Sequence, residues 1–430
     1  MLRSSSIAVA VLFGSVLGAS QQSPPIESRD GSRVATRERA ASEGVERGWA
    51  RAIRALARVL PPVRTSSRPP IVPFPVLVTP RKISNATVAL GLPAGAQFGY
   101  SVAAIGDLDG DGVPDLAVGA PGDAMGSVRI FFLNRDRTVR AHTRIGAPSS
   151  AWGHSYGSAV CGLGDLNGDG APDVAASSPW DCGVFVHLLH SDGTVLSTVR
   201  ITDSLDHPVF AGVLESYGEG LAALGDVDGD GVTDMAVACG VGSDGDDPRI
   251  YVVFLNANGT VKGFHRNSIG STGLTCGALA DLDGDGIHEF ATGNSNDRNV
   301  RTYFLNPNGS VRLVRSVLSS QYATPVAGVQ DLDGNGVPDW ALGIPTYAGG
   351  QGVYSLAGLD SAGNVIPGSG VLVTGPEGKT DLLNAGDHFG SSLALLGNLD
   401  GIGEPEIAVG ATGVDDGTAN SGAVWIGAIR

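Results

Sequence analysis

The alternation of apolar and polar positions recurs several times along the chain. Each unit opens with a strand of small apolar residues, such as YSVAAIG from Tyr100 to Gly106. An acidic loop then leads into a second apolar strand, such as DLAVGA from Asp115 to Ala120. An alternating segment and a tight turn follow, as in IYVVFLNANGTVKGFH from Ile250 to His265. The unit predicts four antiparallel strands, A to D, with the acidic loop joining A to B and an Asn-Gly or Asp-Gly turn joining C to D.

Six such units follow one another, with acidic loops that begin at residues 107, 165, 226, 281, 331 and 398. A run of repeats with four antiparallel strands each is typical of a β-propeller. The 64 Gly and the low charged fraction of 17% agree with many short strands and tight turns. We therefore predict an all-β propeller of six four-stranded blades over residues 83–430, preceded by a short N-terminal helix. Seven blades are the alternative.

The acidic loops carry the candidate chemistry. The first reads DLDGDGVPD from Asp107 to Asp115, and its four carboxylates repel one another unless a cation lies among them. Side chains at alternate positions of a glycine-containing loop can converge on one point, which suits calcium with its six to eight oxygen ligands. An EF-hand differs, because it has a Glu at position 12 and a helix on each side.

The candidate ligands occupy loop positions 1, 3, 5 and 9, together with the backbone carbonyl of position 7. In the first five loops they are Asp107, Asp109, Asp111, Val113 and Asp115; Asp165, Asn167, Asp169, Ala171 and Asp173; Asp226, Asp228, Asp230, Val232 and Asp234; Asp281, Asp283, Asp285, Ile287 and Glu289; and Asp331, Asp333, Asn335, Val337 and Asp339. We expect about five Ca²⁺ ions per chain. The alternative is that the loops are ordinary acidic turns.

The sixth loop, NLDGIGEPE from Asn398 to Glu406, is degraded. It has Ile402 at position 5, where an oxygen ligand is needed. We expect this loop to be empty or to bind metal weakly.

A second recurring motif flanks the loops. It comprises an aromatic-Gly pair before the loop and a Gly-Ala-Pro sequence after it: Phe98-Gly99, Tyr156-Gly157, Tyr217-Gly218 and Phe389-Gly390, with Gly119-Ala120-Pro121 and Gly410-Ala411-Thr412. With these motifs the chain resembles the FG-GAP repeats of the integrin α-subunit head. The resemblance implies a calcium-binding propeller that presents loops to a ligand. The integrin-like pattern has seven blades, so the blade count is where this sequence departs from it.

The sixth unit ends in SGAVWIGAIR, which supplies strand C but leaves no room for strand D. The segment from Asn85 to Gly91, NATVALG, resembles the D strands of the other units. We predict that it pairs with the last blade and closes the ring, because closure removes exposed sheet edges.

The N-terminal part differs in composition. Residues 1–19 are predicted to be a secretory signal peptide, because a short apolar run follows Arg3 and precedes small residues. Residues 20–82 form a basic linker, in which a helix over residues 43–60 is predicted to separate an apolar face from an arginine face. This helix can contact the acidic propeller, a partner or, as a less favoured reading, a membrane. The alternative is a partly disordered linker or pro-segment.

The four cysteines allow two disulfides in a secreted chain. Alignment of the repeats favours the pairs Cys161–Cys182 and Cys239–Cys276, and buried thiols are the alternative. Asn85, Asn258 and Asn308 begin N-x-S/T sequons, so glycosylation is expected if the host is a eukaryote.

Two functional classes remain. The first is a secreted or cell-surface recognition or adhesion module for an extracellular protein or glycan, with no nucleic-acid partner and no catalytic residues. The second is an extracellular enzyme acting on polysaccharide, or its accessory domain, because acidic propellers can carry carboxylate catalysis. Nearly every clustered acid here lies in a predicted calcium loop, which favours the first class.

Overall fold

The computed structural model describes residues 77–149, 151, 155–202, 216–240, 248–269, 274–294, 298–318, 325–377 and 382–429. Within these residues, 24 strands form six four-stranded antiparallel sheets, which are the blades of a propeller. The predicted signal peptide and the predicted helix of residues 43–60 lie outside the described residues. In the part of the chain that the structure describes, no helix has the length and apolar character needed to cross a bilayer.

The strands follow the predicted A-to-D order in each blade. The chain first forms β1 (Leu77–Ile83). Blade 1 contains β2 (Ser101–Gly106), β3 (Asp115–Ala120), β4 (Ser127–Leu133) and β5 (Val139–Gly146). Blade 2 contains β6 (Val160–Gly164), β7 (Asp173–Ser178), β8 (Gly183–Leu189) and β9 (Val195–Thr202). Blade 3 contains β10 (Tyr217–Gly225), β11 (Asp234–Cys239), β12 (Arg249–Leu255) and β13 (Val261–Ser268).

The remaining blades repeat this order. Blade 4 contains β14 (Leu274–Ala278), β15 (Phe290–Asn294), β16 (Asn299–Leu305) and β17 (Val311–Leu318). Blade 5 contains β18 (Val326–Val329), β19 (Asp339–Ile344), β20 (Val353–Ala357) and β21 (Val371–Val373). Blade 6 contains β22 (Phe389–Gly397), β23 (Glu406–Ala411) and β24 (Ala423–Ile429). A 3-10 turn (Pro179–Asp181) and a four-residue helical turn (Tyr347–Gly350) lie between strands B and C of blades 2 and 5.

The six blades form a closed ring. The A strands of consecutive blades contact one another, and β2 of blade 1 contacts β22 of blade 6. The prediction of an all-β propeller with six blades of four antiparallel strands is therefore confirmed.

The ring closes through β1, which pairs with β24 and supplies the fourth strand of blade 6. The predicted closing segment, residues 85–91, is wrong, because these residues form a turn. The side chain of Asn85 makes two 2.9 Å hydrogen bonds with the backbone of Leu92, which fix that turn. The sequence did not indicate β1 as a strand because it contains Pro80, and proline is tolerated only at sheet edges and bulges. Pro80 lies within a bulge between Val78 and Arg81. Because β1 begins at Leu77, the propeller begins before the predicted boundary at residue 83.

The apolar core is divided into six clusters, one between each pair of neighbouring blades. The cluster between blades 6 and 1 includes Ile83 of the closing strand, which is 1% exposed. The B strands β3, β7, β11, β19 and β23 are buried along their whole length, because a neighbouring blade covers each face. Their continuous apolar runs in the sequence have this cause.

In blades 1 and 2, the aromatic-Gly pair positions the blade against the preceding one. Gly99 has a φ of +87°, and a Cβ atom there would lie 2.5 Å from the carbonyl oxygen of Ala423 in blade 6. Gly157 has the same relation to Ser127 of blade 1. Only glycine fits such a close approach at positive φ, so the motif recurs for a backbone reason.

The two favoured disulfides are not formed, so this expectation is wrong for the described residues. Cys161 lies on strand A of blade 2 and Cys182 precedes strand C, which places a whole strand between them. Two strand spacings amount to about 10 Å, which exceeds the Cα separation of a disulfide. Cys239 packs between blades 2 and 3, whereas Cys276 packs between blades 3 and 4.

A buried histidine replaces an apolar residue in blade 2. His187 on β8 is 1% exposed. Its Nε2 lies 2.7 Å from the hydroxyl of Tyr156, and its Nδ1 lies 2.9 Å from the hydroxyl of Thr198. Burial lowers the pKa of His187 from 6.5 to about 4 and raises the pKa of Tyr156. The neutral imidazole is the form that the fold accommodates.

This burial predicts a pH-dependent loss of stability. The unfolded state protonates His187 below pH 6.5, whereas the folded state does so only near pH 4, so stability falls as the pH decreases through that window. The contribution is about 3 kcal/mol at most. Denaturant unfolding between pH 7 and pH 4 should therefore show wild type losing stability relative to His187→Gln. A stability difference that is constant with pH would contradict this assignment.

Candidate metal centres

Each of the first five A–B loops is folded around the carboxylate at position 1. In blade 1, Asp107 accepts hydrogen bonds from the backbone N–H groups of Asp111 at 3.0 Å and Gly112 at 2.8 Å. Gly110 and Gly112 both have positive φ, which lets the chain turn tightly enough for these bonds. Loops 2 to 5, numbered by blade, repeat the arrangement around Asp165, Asp226, Asp281 and Asp331.

The carboxylate at position 9 links the loop to the end of strand C. Asp115 is fully buried and accepts hydrogen bonds from the backbone N–H groups of Leu108 at 3.0 Å and Leu133 at 3.1 Å. Asp173, Asp234 and Asp339 make the same two bonds in their blades. Burial raises the pKa of Asp115 to about 7, and the negative charges of Asp109 and Asp111 add to the effect.

Part of the predicted ligand set converges in four of the loops. The side chain at position 5 accepts a hydrogen bond from the N–H of position 7, as between Asp111 and Val113 at 2.9 Å. The same bond positions Ala171, Val232, Ile287 and Val337. In four loops, oxygens of three carboxylates lie within 4.8 Å of one another. These groups are Asp107, Asp109 and Asp115; Asp226, Asp228 and Asp230; Asp281, Asp283 and Asp285; and Asp331, Asp333 and Asp339.

Several oxygens in these clusters have no hydrogen-bond partner. They are Oδ1 of Asp109, Oδ1 of Asp228 and Oε1 of Glu289. Glu289 is fully buried, and its side chain is one methylene longer than the Asp in the other four loops. Burial raises its pKa to about 8. A buried carboxylate oxygen without a donor is well suited to a cation, and an all-oxygen donor set matches hard cations such as calcium. The clusters can therefore hold metal ions.

Loops 2 and 5 each have three carboxylates, one fewer than loops 1, 3 and 4. In loop 2, Asn167 takes position 3 and makes reciprocal bonds with Asp169, in which the backbone N–H of Asp169 donates at 2.8 Å and the Asn167 amide donates at 2.9 Å. In loop 5, Asn335 takes position 5, and its amide donates to the carbonyl of Leu359 at 2.7 Å. Each amide leaves its loop one negative charge short.

The sixth loop contains a cation from the neighbouring blade. Arg137, in the C–D turn of blade 1, contacts Asp400 at 2.6 Å and Glu406 at 2.7 Å. Its third partner is the hydroxyl of Thr79 in the closing strand, at 2.6 Å. Glu406 is fully buried, so the guanidinium neutralises a carboxylate that water does not reach. In this loop a protein cation contacts the buried carboxylate at position 9.

Arg137 has an unusual backbone for this role. Its φ is +68°, a left-handed conformation that costs a non-glycine residue about 1 kcal/mol or more. The corresponding residue in the C–D turns of blades 2 to 5 is a glycine with positive φ: Gly193, Gly259, Gly309 and Gly363. Arg137 thus occupies a strained position that is glycine in blades 2 to 5, and its ion pairs offset the strain.

Three further loops contact a cation from their own strand D. Arg140 pairs with Asp109 and Asp111 in loop 1. Lys262 pairs with Asp228 and Asp230 in loop 3, at 2.7 and 2.6 Å. Arg312 pairs with Asp283 and Asp285 in loop 4, at 2.7 and 2.9 Å. Sequence reasoning missed these residues and Arg137. For the three strand D cations the available signal was a basic residue directly after the valine that follows the C–D turn.

A cavity lies at the other end of the A strands. It has a volume of about 540 Å³ and is lined by the first residues of the A strands and by B–C turns. Tyr100 and Trp180 line it and are 44% and 78% exposed. Glu219 is the one carboxylate among its described lining residues. No pattern in the sequence indicated this cavity, because its lining residues come from all six blades.

Fold and loops together define a class: a six-bladed propeller with acidic, metal-compatible A–B loops. The FG-GAP-like repeat family matches residues 107–176 and 226–292. Integrin alpha-PS5 of Drosophila melanogaster is 32% identical over 34% of this chain and 15% of its own length. Human integrin alpha-7 is 34% identical over 33% of this chain and 12% of its own length. The matched part thus spans less than a sixth of these relatives.

A solved structure of BBS1N in complex with ARL6DN, soaked with mercury, also aligns with the chain. It covers 83% of this chain and 97% of its own, with 11% identity and a TM-score of 0.43.

The sixth loop yields a stability prediction. Arg137→Gly relieves the left-handed strain but leaves Glu406 buried without a counter-ion, so the variant should be less stable than wild type by about 2–4 kcal/mol. Denaturant unfolding in chelator measures this difference. Glu406→Gln should restore most of the loss when combined with Arg137→Gly, because it removes the buried charge. If Arg137→Gly is as stable as wild type, the guanidinium has no such role.

Proposed function

We propose that this protein is a secreted, calcium-stabilised recognition or adhesion module whose ligand is an extracellular protein or glycan. The observation that carries the proposal is the recurrence of one acidic loop architecture in five A–B loops, four of which bring oxygens of three carboxylates within 4.8 Å of one another. Each of these five loops is tightly turned and has a buried acid at position 9. Five calcium ions would add ten positive charges and bring the formal charge of the chain from −16 to −6.

Calcium stabilises the propeller in this proposal by neutralising repulsion within the loops. The position-9 acid bonds both to its own loop and to the end of strand C, as Asp115 does with Leu108 and Leu133. An ion bound in the loop therefore also holds strands A, B and C together. Because the unfolded chain lacks the converged loops, binding favours the folded state by mass action.

The recognition role is supported by the likeness to integrin α-subunits and by the cavity at the end of the ring opposite the loops. Exposed Trp180 and Tyr100 offer flat apolar surfaces, and Glu219 adds one charge. Aromatic rings with a few polar groups are typical of binding sites. Glycoside hydrolysis uses a pair of carboxylates, which favours binding over the polysaccharide-active alternative. A glycan and protein binding screen, run with a hydrolysis assay on the same protein, distinguishes the two.

An extracellular location is part of the proposal. It is supported by the predicted signal peptide of residues 1–19 and by the similarity to integrin α-subunits. Calcium is abundant outside cells, where loops of this kind would be filled. Detection of the full-length chain in the medium or at the cell surface, with its N-terminus determined, tests this part.

Calcium should raise the melting temperature strongly. At a calcium concentration one hundredfold above the Kd, each site adds about 2.7 kcal/mol to the free energy of unfolding. Thermal unfolding in calcium and in chelator, with metal analysis of the dialysed protein, measures the effect and the number of ions.

A matched pair of variants assigns the ions to the loops. Asp333→Asn, in loop 5, should remove or weaken one bound ion. Asp400→Asn, at the same position of loop 6, should leave the number of ions unchanged. A melting temperature that is indifferent to calcium would overturn the proposal and reduce the acidic loops to turns.

A further inference from the structure

The cations beside loops 1, 3 and 4 occur where the loops carry the most negative charge. These three loops have carboxylates at positions 1, 3, 5 and 9, whereas loops 2 and 5 each have an asparagine among them. The residue that follows the first valine after the C–D turn is Arg140, Lys262 and Arg312 in blades 1, 3 and 4. In blades 2 and 5 it is apolar, Leu196 and Ile366.

Counted over the four acidic positions and the strand D residue, the formal charge is consequently the same in all five blades. Four carboxylates and one cation leave three negative charges in loops 1, 3 and 4. Loops 2 and 5 have three carboxylates and no strand D cation, so they also carry three negative charges. The loops differ in sequence, but their formal charge over these positions is the same.

The geometry places the cations at the ion-binding face of the loops. Each one bridges the acids at positions 3 and 5, which are predicted calcium ligands, and avoids the buried acid at position 9. The guanidinium groups of Arg140 and Arg312 also lie over the rings of Phe132 and Phe304, at 5.9 and 5.8 Å from the ring centroids. Ring and carboxylates together position the cation over the loop.

We propose that Arg140, Lys262 and Arg312 determine the calcium affinity of their loops by acting as tethered counter-ions. Each cation neutralises part of the negative charge of its loop when calcium is absent and competes with calcium for the loop acids when calcium binds. The acids at positions 3 and 5 cannot serve both cations fully, so calcium must displace the side chain or bind beside a like charge. All five loops then fill over one narrow calcium range. This inference rests on the calcium binding proposed above.

The side chains can leave the loop easily. They are 41%, 39% and 39% exposed, so water can solvate the displaced charge. A divalent ion with several oxygen ligands outcompetes one monovalent contact, but part of its binding free energy offsets the lost ion pair. The cations thus lower the affinity without blocking the loops.

The test is a triple variant, Arg140→Gln, Lys262→Gln and Arg312→Gln, in the full-length chain. Calcium titration by calorimetry at 0.15 M salt, which screens distant charges, should show three sites tightened by about tenfold and two unchanged. In chelator the triple variant should melt below wild type, because three loops lose their counter-ions. In saturating calcium it should melt at or above the wild-type temperature.

This reversal separates affinity control from a merely structural role, which would lower the melting temperature in both conditions. Arg315→Gln is the matched control, because it removes the same charge from β17. The Arg315 side chain donates to the carbonyl of Ala362 in the C–D turn of blade 5 and not to an acid of an A–B loop. The reciprocal variant Leu196→Arg should weaken the single site in loop 2.

The outcomes distinguish the two proposals. Calcium binding by wild type with unchanged affinity in the triple variant overturns the tethered counter-ions and leaves the calcium loops standing. Absence of calcium binding by wild type overturns both. Three tightened sites together with the reversal of the melting shift establish the inference.

Discussion

Each blade of this propeller has two apolar faces, and this constraint determines the rest of the fold. A four-stranded sheet that is apolar on both sides needs a neighbour on both sides, and only a closed ring gives every blade two neighbours. The six inter-blade clusters and the fully buried B strands are the direct result. Closure then depends on β1, which brings Ile83 into the cluster between the first and last blades.

The same ring concentrates negative charge at one end. The A strands all run in one direction through the ring, so their A–B loops emerge together, and each carries several carboxylates. Burial of the position-9 acids makes the repulsion stronger, as the raised pKa of Asp115 and Glu289 indicates. This end of the molecule therefore requires positive charges that neutralise the carboxylates of the A–B loops. Arg137 meets it in loop 6, and strand D cations meet part of it in loops 1, 3 and 4.

Positions where one blade departs from the others are informative about this protein. Arg137 departs from glycine at a left-handed position, and the departure supplies the cation of the degraded loop. The degraded loop and the arginine are thus two parts of one feature, although they lie in different blades. His187 is a second departure, in which a polar ring is buried with two hydroxyl partners. At each of these two positions, one blade makes side-chain contacts that the other blades do not make.

The sequence by itself determined the repeating unit, the blade number and the shape of the acidic loops. These features depend on residues close together in the chain: glycines that turn the loop, a first carboxylate that bonds the N–H groups just after it, and apolar runs that form strands. Asp107 through Asp115 needs no distant residue to be recognised as one loop.

Tertiary structure alone decided which segment closes the ring, which cysteines stay apart, where the cavity lies and which cation faces which loop. Pro80 obscured the closing strand, and Arg137 reaches a loop more than 260 residues away in the chain. Such pairings depend on the curvature of the ring, which brings the first and last blades together. A pattern of neighbouring residues in the sequence cannot indicate which distant segments the ring brings into contact.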